Sequence, residues 1–136
     1  MLALPHSAPA HVEVRRKVSL RPSAEQDVES GEQRIEVLRD DGHGMNEETG
    51  VATEFHKILR YRIHPDDPTT ARSEADYDMH HHHDQGWDMR IRSHSAIACT
   101  ATEFIVEADL QAFDGGLRVF SRGWTERIPR DRKSVV

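Results

Sequence analysis

The chain has 136 residues, a length that suits one domain. With 36% hydrophobic and 31% charged residues it can build only a thin core. No stretch approaches the ~20 apolar residues of a membrane helix, and a net charge of -6 disfavours a phosphate-neutralising surface, so neither a membrane nor a nucleic acid is an expected partner.

Residues 1–11 hold two prolines and no pattern, and read as a flexible arm. Period-two alternation then begins: Val12, Val14, Val18 and Leu20 share one face, and Glu13, Arg15, Lys17 and Ser19 the other. The polar stretch 21–32, with Pro22 and Gly31, reads as a loop. Ile35 and Val37 mark a short strand that runs into a turn-forming cluster at Asp40, Asp41, Gly42, His43 and Gly44. A further strand is predicted over 54–63, with Phe55, Leu59, Tyr61 and Ile63 on one face. It ends at Pro65 and Pro68, which remove donors and restrict their predecessors.

Residues 71–79 alternate most cleanly, with Ala71, Ser73, Ala75, Tyr77 and Met79 opposed to Arg72, Glu74, Asp76 and Asp78. Residues 80–86 read as a polar connector. Trp87, Met89, Ile91, Ile97 and Cys99 share one face of a long strand, and Phe104, Val106, Ala108, Leu110 and Ala112 one face of the next. Asp114, Gly115 and Gly116 signal a hairpin, because both glycines accept positive φ. The return strand covers 117–128 and stops at Pro129. Seven or eight antiparallel strands without a helix predict an all-β, jelly-roll-like sandwich over 12–129, followed by a mobile charged tail at 130–136.

A single cysteine, Cys99, cannot form an internal disulfide, and the N-terminus lacks the basic region and apolar run of a signal peptide. The expected address is cytoplasmic. The basic pieces around Arg15 to Lys17 and Arg127 to Lys133 are short and interleaved with acids, as in a solvated face.

Several short segments occur in a telling order. They are Tyr-Arg-Ile-His-Pro-Asp-Asp-Pro-Thr-Thr-Ala-Arg at 61–72, Gly-Trp-Asp-Met-Arg-Ile-Arg-Ser at 86–93, Thr-Ala-Thr-Glu-Phe at 100–104, Leu-Gln-Ala-Phe-Asp-Gly at 110–115, Val-Phe-Ser-Arg-Gly-Trp at 119–124, and Ile-Pro-Arg-Asp at 128–131. Together they resemble the C-terminal region of the cocaine-esterase and X-prolyl dipeptidyl-peptidase family of serine hydrolases. The resemblance runs from about residue 35 to 131 and implies a jelly-roll domain packed on an α/β-hydrolase body that carries the catalytic Ser, Asp and His. The nucleophile elbow Gly-x-Ser-x-Gly is absent from these 136 residues, so no catalytic residue is carried over.

Other chemistry is weaker. His80, His81, His82 and His83 are a compositional cue for a metal. Consecutive residues on an extended chain point to alternate sides, so they are expected to be an exposed connector that binds metal only adventitiously. Asp66 and Asp67 fit a turn cap better than an acid/base pair. Ser93, His94 and Asp88 form a triad only on paper, because neighbours on a strand face opposite ways. Trp87, Trp124, Tyr61 and Tyr77 could line a sugar-binding face, although Tyr77 and Trp87 follow the inward register of a core. The expectation is an accessory, non-catalytic β-domain without a cofactor, partnered by a catalytic hydrolase domain or subunit. A homodimer through an uncovered apolar patch is the further partner expected. The alternative is an independent module binding a carbohydrate or another small ligand.

Overall fold

The computed structural model describes residues 11–130. Eight strands follow one another: β1 Val12–Arg16, β2 Ser19–Gln26, β3 Gln33–Asn46, β4 Val51–His64, β5 Asp67–His83, β6 Trp87–Cys99, β7 Glu103–Asp114 and β8 Leu117–Pro129. All pairings are antiparallel, and the strands form one continuous sheet in the order β1-β3-β4-β5-β6-β7-β8, with β2 also on β3. The all-β class and the strand count match the expectation. From β3 to β8 each strand pairs with the next, so this part of the sheet is a hairpin meander. The expected arm and tail lie outside the described residues, apart from His11 and Arg130. Among the described residues no helix is long and apolar enough to cross a membrane.

Three expectations about strands and turns are corrected. Residues 21–32 are not one loop, because β2 extends through Gln26 and pairs from Ser19↔Asp40 to Gln26↔Gln33. Pro22 is tolerated there because β2 lies at the sheet edge, where a missing donor breaks no second ladder. The 40–44 cluster is no turn. It lies inside β3 as a bulge, where the pairing with β4 jumps from Asp40↔His56 to His43↔Glu54. Gly42 supplies the left-handed backbone (φ 85°), and the edge partner changes from β2 to β1 at the same place. His80 to His83 are not a connector, because they form the end of β5 and are half-buried; the turn itself is 84–86. The Asp114 hairpin is as expected, with Gly115 at φ 57° and Gly116 at φ 84°.

Residues paired directly across antiparallel strands share a face. The register therefore places Ile35, Leu59, Tyr61, Ala75, Tyr77, Ile91, Ile97, Phe104, Val106, Leu110 and Trp124 on one side. Arg60, Glu74, Asp76, Asp78, Arg92, His94 and Asp109 fall on the other. The sheet is apolar on one face and charged on the opposite one. Ala52 and Ala96 are the buried hydrophobic residues among those described, both on the charged face beneath longer side chains. The apolar face is largely open to solvent: Ile97 is 48% exposed, Phe104 40% and Ile128 49%. Trp87, read from the sequence as core, is 45% exposed, because it sits at the sheet end, where its ring stacks 6.4 Å from that of His83.

Candidate functional site

The charged face is built by register rather than by loops. Adjacent strands bring acids against bases in successive rows, and the rows are tied diagonally. Arg60 reaches Glu36 on β3 (3.1 Å) and Asp76 on β5 (2.6 Å). His94 on β6 donates from Nδ1 to the same Asp76 at 2.6 Å. Burial pushes the Asp76 carboxyl up, but the His94 and Arg60 hydrogen bonds outweigh it and hold the group below its ordinary value. An open groove of about 610 Å³ runs here, lined by His56, Asp76, Asp78, Arg92, His94 and Asp109.

Toward the bulged end of β3 the same face carries a denser cluster. Register sets Arg16, His43, Glu54, His80 and Arg90 in one row across five strands. The Arg16 guanidinium forks onto Asp40 (2.7 and 3.1 Å) and donates to Glu54 Oε1 at 2.6 Å. Burial raises the Asp40 and Glu54 carboxyls, yet the Arg16 hydrogen bonds and nearby His56 leave both below their usual values. His80 donates from Nε2 to Asp88 at 2.9 Å. The His80 and His82 rings lie 4.9 Å apart, and the His82 and His43 rings 5.7 Å.

The four-histidine run is therefore divided by the pleat. His80 and His82 join the charged face, where His43 and Glu54 also lie. His81 and His83 take the opposite face and are engaged there: His81 Nδ1 is 3.1 Å from the Thr53 hydroxyl, and His83 Nδ1 accepts from the Gln85 N–H while its Nε2 meets the Thr49 carbonyl. Sequence reading singled out the run but missed His43. The ring lies 37 positions upstream in a stretch that looked like a turn, and only the β3–β4–β5 register brings it near His82.

The remaining candidates stay apart. Ser93 is on the apolar face and His94 on the charged one, paired to Asp76, while Asp88 holds His80, so no triad forms. Asp67 caps its turn through the Thr69 N–H (3.0 Å) and hydroxyl (2.6 Å), as expected of a structural aspartate. Cys99 is half-buried, its Sγ 3.6 Å from the Pro68 carbonyl. Tyr61, Tyr77, Trp87 and Trp124 share the apolar face. There Tyr77 packs on Phe55 (5.8 Å) under Lys57, and Arg122 covers Trp124. On that face Ile35, Tyr61, Ile63, Ile97, Cys99 and Phe104 line a shallow groove of about 330 Å³. Compared with family models, curated proteins and solved structures, the chain matches none.

Proposed function

We propose that this chain is an accessory, non-catalytic β-domain of a serine hydrolase of the cocaine-esterase and X-prolyl dipeptidyl-peptidase type, and that its apolar face seats it on the α/β-hydrolase body. The observation that carries the reading is the uncovered apolar face. Six strands of 12 to 17 residues make a face of roughly 40 by 24 Å, at ~3.3 Å per residue and ~4.8 Å per strand. That is on the order of 1,000 Å², above the ~800 Å² that each partner gives to a standard interface. The order of the motifs between residues 61 and 131 supports the choice of partner, and the missing nucleophile elbow assigns acyl transfer to that partner. We further infer a cytoplasmic address from the lone cysteine, which gives the segment no internal disulfide to form.

The test starts at the genetic locus. The reading frame that contains or adjoins this segment is expected to encode an α/β-hydrolase body with Gly-x-Ser-x-Gly. Co-expression of the two should give a complex that cleaves an activated ester, whereas this chain alone should not. Ile97→Lys on the apolar face should break the complex, and Glu107→Lys on the charged face should leave it whole. A locus without such a body, or ester turnover by this chain alone that one serine substitution abolishes, overturns the reading. The second reading, a carbohydrate-binding sheet, draws on the partly exposed Tyr61, Trp87 and Trp124 on the same face. It predicts retention on a polysaccharide column that Trp124→Ala removes.

A further inference from the structure

The histidine cluster at the bulged end of the charged face is not explained by docking through the opposite face. We propose that His43, His80 and His82, with Glu54 as fourth donor, bind a divalent transition metal of the zinc type. Four observations converge on this. First, the ring spacings suit shared ligation: two imidazoles on one tetrahedral ion have centroids about 5 Å apart, given Zn–N bonds of ~2.0–2.1 Å. His80–His82 stand at 4.9 Å and His82–His43 at 5.7 Å. Second, the His43 Nε2 atom is buried without a hydrogen-bond partner, an arrangement that leaves a donor nitrogen unused at a cost.

Third, Asp88 receives the His80 Nε2–H at 2.9 Å, which leaves Nδ1 as the free lone pair on the side of Glu54. A carboxylate that fixes a histidine tautomer in this way is the usual outer support of a metal-ligating imidazole. Fourth, Glu54 is divided between two tasks. Its Oε1 is held by Arg16 at 2.6 Å, while Oε2 faces His80 Nδ1 at 3.9 Å. Asp40, Glu54 and Asp88 outnumber Arg16 and Arg90, the latter already 3.2 Å from Asp78, so the cluster is net negative, which favours a dication.

The small Ala52, 1% exposed on β4 between the paired Met45 and His82, leaves room for the His43 and His82 rings to lean toward each other across that strand. Among the described residues no three donors already stand at ligating distance from one point. Binding therefore turns the His82 ring toward its two neighbours. The donor set of three imidazoles and a carboxylate suits zinc, nickel or cobalt, and not the all-oxygen preference of calcium or magnesium.

The experiment is calorimetric titration of the intact chain with Zn²⁺, together with the visible spectrum of added Co²⁺. The expected result is one ion per chain and a tetrahedral cobalt band. His43→Gln or His82→Gln should weaken binding at least tenfold. Asp88→Asn should weaken it by about tenfold, as loss of an outer-shell carboxylate does. His81→Gln, on the other face, should leave it unchanged. Ring proton spectra of the parent chain keep the test independent of variant folding: sub-stoichiometric Co²⁺ should broaden His43, His80 and His82 before His81 and His83. An absence of binding, an equal loss with His81→Gln, or indifference to His43 would overturn the proposal in favour of a polyhistidine tract that binds metal by composition alone.

Discussion

Asp76 shows how single residues hold the charged face together. It takes Arg60 from one neighbouring strand and His94 from the other, so three strands are tied by one carboxylate. Asp40 and Glu54 do the same around Arg16. All three carboxyls lie below their ordinary values of 3.8 for Asp and 4.5 for Glu. A depressed folded-state value stabilises the fold above the unfolded value, and the contribution disappears as pH falls through the folded one. The unfolded chain takes up protons first, so stability declines below about pH 4.5 and keeps declining until the folded carboxyls are themselves protonated. Thermal midpoints measured from pH 7 to pH 2 should fall in that acid window. The fall should be shallower in Asp76→Asn, which has already lost its share; an equally steep fall in that variant would contradict the assignment.

Among the elements, β3 depends most on one backbone position. Its 14 residues pair with β2 on one side of the bulge and with β1 on the other, and Gly42 makes the change of partner. A Cβ at Gly42 would lie 2.6 Å from the Arg16 carbonyl oxygen, at φ 85°, whereas one at Gly115 (φ 57°) would meet nothing within 4 Å. A positive-φ glycine replaced by alanine costs about 1 kcal/mol for the backbone alone. Gly115→Ala should show about that loss in urea unfolding, and Gly42→Ala a clearly larger one because the Arg16 backbone must also move. Equal losses would mean that the bulge yields freely.

The same strand shows where sequence reading stops. Alternation was legible at 71–79 and 104–113 because the two faces there differ sharply in polarity. It was not legible in β2 beyond Leu20, since an edge strand exposed on both faces needs no polarity difference; all eight of its residues are exposed. The glycines and aspartates at 40–44 have turn chemistry, and a bulge uses the same left-handed backbone as a turn. Imidazole is polar enough to read as a connector and flat enough to pack in a sheet, so the histidines of β5 were placed one element too late. The Asp67 cap and the Gly115 hairpin were legible because their cues are local. The His43–His82 approach was not, because it depends on the pairing of three strands.

At the scale of the whole molecule the sheet is one layer with two unlike sides. Tertiary contacts within the described residues run between hydrogen-bonded neighbours, and the apolar side chains of β6, β7 and β8 pack on one another but are not roofed. Ion pairs between partly exposed groups on the other face add little each, so they cannot replace a second apolar layer. An uncovered apolar face of this extent draws chains together when its proper partner is absent. Purified on its own, the protein is therefore expected to sediment as a dimer or larger species at micromolar concentration, with the association growing stronger in high salt as charge repulsion is screened. Ile97 lies on that face and is 48% exposed, so Ile97→Lys should place a charge in the contact without disturbing a buried neighbour. It should shift the sedimentation profile toward the monomer. Glu107→Lys, one pairing row away but on the charged side, should leave the profile where it was. A parent chain that stays monomeric at every concentration, or an association that Glu107→Lys breaks and Ile97→Lys does not, would show that the apolar face is not the sticky one.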